Sequence, residues 1–296
     1  MKKVALILFS IGLLSFWPMG LPPFAMDRYC QVGQGRIYFQ AAGEGRPILL
    51  IHGWMASSRY WDDILLPLSR SGQVLAIDLP GFGRSDKLEK VGYSISDLLG
   101  GLDRYIETMG LKRVTLVGHS MGGTLALQYS LLHPDRVEGL VLVGSPFRPR
   151  PRSALSILLG IPLLGRFFFW LGSGPLAPFL MERAFFEKSP IPKALLEDLK
   201  KVPYRIMVNS MRSLRTVDLR KKLFEIQAPT LIIWGKEDRL VPLSVGEELH
   251  GGIRGSRMVA LERVGHCPMV EAPERFLKEV QDFIALGLTS RPGSSK

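Results

Sequence analysis

The stretch "LVGHSMGG", Leu116 to Gly123, sets a serine on a G-x-S-x-G frame between two different apolar patterns. The run before it, "RVTLV" (Arg113–Val117), is short and β-branched and predicts a buried strand. The run after it, Met121–His133, spaces its apolar residues for a helix that His133-Pro134 ends. A serine between such a strand and such a helix has the context of a nucleophile elbow. Gly118 and Gly122 permit a turn so tight that side chains there would clash. Ser120 would then be pushed out over the sheet edge, at a helix N-terminus whose dipole favours an anion. The competing reading is a glycine-rich turn with an idle serine, and the rest of the chain has to decide between them.

Outward from this turn, "PILLI" (Pro47–Ile51), "QVLAI" (Gln73–Ile77) and "GLVLV" (Gly139–Val143) repeat the pattern of strands buried on both faces. Tyr93–Met109 reads as an intervening helix. Strand and helix alternation with right-handed crossovers predicts an α/β fold with a mostly parallel, doubly wound sheet. From Phe147 to Phe224 the rhythm stops, and only apolar and basic helical segments follow, such as "SALSILLGIPLLGRFFFWLG" and "PLAPFLMERAFF". It resumes with "PTLIIW" (Pro229–Trp234), "RMVAL" (Arg257–Leu261) and a closing helix at Pro273–Leu286. The expected organisation is a core of residues 27–146 and 225–287, an inserted helical cap at 147–224, and a disordered tail at 288–296.

A serine hydroxyl needs a base, and the base needs an orienting acid. "WGKEDRLVP" places Asp238 just past one predicted strand, with Glu237 as its rival, and "VGHCPMVEAPE" places His266 just past the next. Strand C-terminal ends are where such sheets gather functional loops. His119 and His133 are weaker candidates: the first is expected to point away from the elbow, and the second lies a helix length off. The loop after Gly139–Val143, "GSPF", carries no carboxylate, which favours Asp238. "LLIHGWM" supplies a further loop after a strand, where the backbone N–H of Trp54 and that of Met121 would receive an oxyanion. His52 and Gly53 shape that loop in a supporting role, and Asp78 in "DLPGFGRSD" is expected to be structural.

Taken in order, H-G-x, D-x-x-G-x-G-x-S, G-x-S-x-G, G-x-x-D-x-x-x-P and G-H resemble the capped branch of the α/β-hydrolase superfamily over roughly Gln34 to Leu286. The resemblance implies Ser120, Asp238 and His266 as a triad, with Trp54 and Met121 as oxyanion donors, and no metal or cofactor. A serine nucleophile points to an acyl-enzyme and to carboxylic esters, with medium or long acyl groups expected from the apolar insert. "HGWMASSRYW", "DLPGFGRSD" and "LRTVDLRKKL" resemble the pimeloyl-acyl-carrier-protein methyl esterases. The N-terminal apolar segment together with the motif set is similar to membrane-associated monoacylglycerol lipases. Carbon–carbon bond hydrolases share the same residues. A non-catalytic ligand receptor and a cofactor-free oxidase are the remaining readings, and the complete motif set argues against the first.

The chain has 296 residues and a formal charge of +11. Phe147–Glu225 holds fifteen Lys/Arg against six Asp/Glu, so this one segment carries +9 of that charge. No nucleic-acid motif accompanies it, so an anionic membrane surface or an acidic carrier protein is the expected partner beside a small ester substrate. The start, "MKKVALILFSIGLLSFWPMGLPPFAM", is a basic n-region followed by an apolar run of secretory length. Residues 1–26 are expected to be a signal peptide or an anchor, which would make the protein exported or membrane-anchored. Pro23 makes a poor cleavage context for Ala25. Cys30 and Cys267 show no metal or redox spacing and are expected to be buried thiols.

Overall fold

Among the described residues eight strands form one sheet, and their order explains where the predicted loops gather. The computed structural model describes residues 26–151, 161–173, 182–186 and 193–287, so most of the leader and the whole tail lie outside the described residues. Met26, expected to close the leader, is instead the first residue of β1 (Met26–Val32), which turns through Gly33 into β2 (Gly35–Ala42). The remaining strands are β3 (Pro47–Ile51), β4 (Gln73–Ile77), β5 (Val114–His119), β6 (Val137–Val143), β7 (Thr230–Gly235) and β8 (Arg257–Leu261).

The order across the sheet is β1-β2-β4-β3-β5-β6-β7-β8. Strands β3 to β8 pair in parallel, and β2 pairs antiparallel with both β1 and β4. The chain therefore winds outward from β3 to β4 and then reverses, returning to the other side of β3 as β5. That reversal is a topological switch point, where the loops after the two flanking strands diverge and leave a crevice. The two loops are those carrying Trp54 and Ser120.

The apolar runs of β3 and β5 are buried on both faces because helices cover both sides of the sheet. On one face α1 (Asp62–Leu68), α8 (Pro268–Glu271) and α9 (Pro273–Gly287) pack Trp61, Ile64, Leu68, Met269, Phe276 and Val280 against Leu50 and Val117. On the other, α2 (Ile95–Thr108), α3 (Met121–Leu132) and α7 (Leu243–Gly252) pack Leu98, Tyr105, Leu125 and Leu249 against Leu116 and Ile232. Helix α2 begins in a capping box, in which the Ser94 hydroxyl accepts from the Asp97 N–H and the Asp97 carboxylate accepts from the Ser94 N–H.

Between β6 and β7 the described residues form α4 (Pro162–Ser173), α5 (Lys193–Lys201) and α6 (Tyr204–Leu214), with no strand among them. The two arms of this excursion run side by side: Leu219 N–H donates to Phe147 O at 2.8 Å, and Arg150 N–H to Arg215 O at 3.2 Å. Side chains then fasten it to the core. The buried Asp198 on α5 accepts from the Ser57 hydroxyl at 2.6 Å and pairs with Arg59 and Lys201. On α6, Arg205 and Asn209 donate to the carbonyls of Val91 and Gly92, and the Ser213 hydroxyl accepts from Ile95, the first residue of α2.

Candidate active site

Ser120 stands between the end of β5 and the start of α3 with φ 52° and ψ −118°. A side chain with φ in this range is strained and persists only where its surroundings hold it. Here the Ser120 N–H donates to Val143 O at 2.7 Å, and its carbonyl accepts from Gly123 and Thr124 in the first turn of α3. The turn closes so tightly that a Cβ on Gly118 would lie 2.5 Å from Gly122 O and 2.6 Å from the Gly123 Cα. One on Gly122 would lie 2.5 Å from His52 O. The two glycines are thus required by contact between backbones, as the motif predicts. Ser120 keeps partial exposure while its neighbours from Val114 to His119 and from Met121 to Leu127 are buried.

His266 reaches the same place from the loop after β8. Its Nδ1 and Asp238 Oδ2 are 2.7 Å apart, and both residues are buried. Asp238 Oδ1 accepts from the N–H groups of Leu240 and Val241, each at 2.8 Å. This leaves Oδ2 for the imidazole, so Nδ1 carries the proton and Nε2 presents its lone pair. Ser120 and His266 both lie against the end of β6: the Ser120 N–H donates to Val143 O, and a Cβ on the residue after Val143, Gly144, would lie 3.0 Å from the imidazole and 3.5 Å from Asp238 Oδ2. Glu237 faces elsewhere, accepting from the Val264 N–H at 2.9 Å.

The loop after β3 lies against Ser120, since a Cβ on Gly53 would come within 3.1 Å of the serine Cβ. His52 is buried beneath it, donating from Nδ1 to Gly53 O at 2.7 Å and accepting the Leu79 N–H at Nε2, 2.9 Å away. Burial lowers its pKa, consistent with the neutral ring those two bonds require. Met55, next to Trp54, has φ 59°, so this loop is strained beside its expected oxyanion donor. Met121 is the first residue of α3, where an N–H has no intrahelical acceptor. Asp78 is structural as expected: its carboxylate accepts from the N–H groups of Ser58 and Arg84, both at 2.6 Å, and holds the loops after β3 and β4 together.

His119 does more than the sequence suggested. Its Nε2 donates to His266 O at 2.9 Å, its ring lies 4.8 Å from the His266 ring, and it stacks on Tyr60. Burial, and then the neighbouring His266, push its pKa well down. His133 lies away from this cluster and contacts Asp103 at 3.3 Å. Both cysteines are free, buried thiols.

The sequence pattern described as the alpha/beta hydrolase family matches residues 48–279. A 2-hydroxy-6-oxononadienedioate/2-hydroxy-6-oxononatrienedioate hydrolase of Paraburkholderia phymatum is 31% identical over 284 residues, covering 88% of this chain and 96% of the relative. The monoacylglycerol lipase abhd6-A of Xenopus laevis is 26% identical, covering 87% of this chain and 79% of the relative. Among solved structures, a membrane phospholipase A described as a bacterial virulence factor superposes with a TM-score of 0.78 at 28% identity, covering 91% of this chain and 88% of that one. With the family pattern spanning the sheet from β3 to the closing helix, and with the elbow and the buried His–Asp pair in place, the chain belongs to the alpha/beta hydrolase family and is a hydrolase.

Proposed function

We propose that the chain is a serine carboxylic-ester hydrolase acting through an acyl-enzyme on Ser120. The observation that carries this reading is the 2.7 Å contact between His266 Nδ1 and Asp238 Oδ2, made beside a serine on a strained elbow. Ser120 Oγ attacks the ester carbonyl carbon while its proton passes to His266 Nε2. Asp238 stabilises the imidazolium. The N–H groups of Trp54 and Met121 receive the oxyanion. The imidazolium returns the proton to the departing alkoxide, and an acyl ester on Ser120 remains. Water, losing a proton to His266, then opens that ester and releases the acid, and Ser120 regains its proton.

The acyl preference we assign is medium to long. The apolar segment between Phe147 and Phe224, read as a cap, supports it, as do the lipase and phospholipase names among the relatives. The same segment is the proposed contact with anionic lipid. On α4, Leu164, Phe167 and Trp170 are exposed together with Arg166, and an amphiphilic basic surface of this kind suits an interface of anionic headgroups. Export or membrane anchoring through residues 1–25 belongs to the same reading. No described helix is long and apolar enough to cross a membrane.

The test is kcat/KM across nitrophenyl esters of increasing acyl length, with Ser120→Ala as control, in the presence and absence of anionic vesicles. Rates rising with chain length support the lipid reading. A peak at acetate or butyrate moves the small-ester and acidic carrier-protein readings forward. Wild-type-like turnover by Ser120→Ala would sink the mechanism. A second reading, hydrolysis of a carbon–carbon bond, is favoured by the 31% identity to the dienedioate hydrolase. Turnover of 2-hydroxy-6-oxononadienedioate exceeding that of every ester would establish it instead.

A further inference from the structure

Asp238 sets the tautomer of His266, but it touches only the ring. The backbone that aims the ring is held by other groups. Gly265 N–H and Cys267 N–H, on either side of His266, both donate to the Glu271 carboxylate at 2.9 Å, the first to Oε2 and the second to Oε1. Oε2 also accepts the N–H of Phe186 at 2.7 Å, from the segment between β6 and β7. The His266 N–H goes to Ala184 O at 2.7 Å in the same segment, and the His266 carbonyl accepts from His119. Every backbone polar group at His266 is therefore fixed from outside its own loop or by Glu271. The approach is close: a Cβ on Gly265 would lie 2.8 Å from both Ala184 O and Phe186 N.

We propose that Glu271 is a positioning residue for the base. It clamps the N–H groups of the residues on either side of His266, Gly265 and Cys267, and ties them to residues 184–186, so the aim of the imidazole depends on where that segment sits. The proposal rests on the reading of His266 as the base. Its chemistry is specific to a carboxylate, because both oxygens must accept and one accepts twice. A glutamine of the same size has to turn its amide N–H₂ towards one of these N–H groups, whichever way it is flipped. Aspartate is too short to serve all three donors. The buried Cys267 thiol, pushed well up by burial and then by Glu271 and Asp238, stays protonated beside this clamp and takes no part in it.

The experiment compares Glu271→Gln, Glu271→Asp and His266→Ala with the wild type, on a short nitrophenyl ester, below the melting temperature of each variant. Folded Glu271→Gln is expected to lose tenfold or more in kcat with KM within threefold. Glu271→Asp should fall in between. The far-downfield proton of the His266 Nδ1–Asp238 hydrogen bond, read by NMR on histidine-labelled protein, should shift or vanish in Glu271→Gln. A role in packing alone would lower the melting temperature and leave the folded variant with wild-type kcat and an unmoved proton, and that result overturns the proposal. If Glu271→Gln does not fold, the same two readouts on Glu271→Asp decide. If His266→Ala keeps the wild-type kcat, the reading of His266 fails and the proposal falls with it. If only the Glu271 variants keep it, the base stands and Glu271 is not its clamp.

Discussion

The indole N–H of Trp54 donates to Met207 O at 3.2 Å, joining the loop after β3 to α6 across 153 positions of sequence; the Ser210 hydroxyl shares the same donor at 3.2 Å. The residue proposed to offer its backbone N–H to the oxyanion is thus held by its side chain to the insert. Trp54→Phe keeps most of the ring and loses both bonds. Each such bond is worth about 1 kcal/mol, and part of that is expected to reach the transition state. We expect kcat/KM on a short ester to fall about tenfold, with Ser210→Ala losing less. Equal activity in Trp54→Phe and wild type, measured on folded protein, would show that the indole anchor does not set the loop.

Strain at the nucleophile predicts an opposition between activity and stability. Ser120→Ala keeps φ near 52° with a Cβ in place, whereas Ser120→Gly removes the Cβ that makes this conformation costly. That relief is worth about 1–2 kcal/mol, less about 0.5–1 for the extra chain entropy of glycine. Both variants should lose activity on the order of a million-fold. By differential scanning calorimetry, Ser120→Gly should nevertheless melt about 1–3 °C above Ser120→Ala. A lower melting temperature for the glycine variant would mean that the turn stores no strain.

The acid can be identified by two amide substitutions. Asp238→Asn must turn an N–H₂ either towards His266 Nδ1 or towards the N–H groups of Leu240 and Val241. kcat should then fall on the order of ten-thousand-fold, as when the orienting acid of a triad is lost. Glu237→Gln keeps an amide oxygen that can accept from Val264 N–H and should stay within about threefold of wild type. Reversal of the two results would transfer the acid's role to Glu237.

Acid sensitivity should come from two buried histidines before any carboxylate. His52 and His119 have folded-state pKa values lowered from 6.5, in both cases chiefly by burial. The unfolded chain binds their protons first, so the stability from keeping them neutral is complete above pH 6.5 and is lost as pH falls towards the folded values. Each can contribute a slope of up to about 1.4 kcal/mol per pH unit below that point. Urea unfolding at pH 7.5, 6.5, 5.5 and about 5 should show this decline, and His119→Gln should make it shallower. A flat profile over that range would mean that the rings charge without penalty.

The elbow, Asp238 and His266 were legible because each lies within a few residues of a strand end whose apolar run announces itself. The β1–β2 hairpin escaped the same reading. Its alternating exposure, visible in β1, is that of a half-buried antiparallel pair at the sheet edge, and a search for fully apolar runs passes over it. Gly33 and Gln34 between "RYCQV" and "GRIYFQ" were the available signal. Partnerships such as Trp54 with Met207, Ser57 with Asp198 and Glu271 with Phe186 leave no local pattern, because each depends on two distant segments packing together. The bond from His119 to the His266 carbonyl is hidden for the same reason, since the two residues lie 147 positions apart.

The crowding around Gly118, Gly122 and Gly123 bears on how such a protein can change over evolutionary time. A Cβ at any of these positions would overlap backbone or the Ser145 hydroxyl, so the turn offers selection no gradual variants. The stretch between Phe147 and Leu219 is placed differently. It leaves and rejoins the sheet through adjacent arms, and it is fastened by a few discrete bonds, some buried, as between Ser57 and Asp198, and some exposed, as from Arg205 to Val91 O. A lineage can vary this excursion stepwise, as long as contacts such as those of residues 184–186 with the His266 loop are kept, while inheriting the nucleophile turn unaltered. Such an arrangement allows the range of names among its relatives, a dienedioate hydrolase, a monoacylglycerol lipase and a phospholipase A.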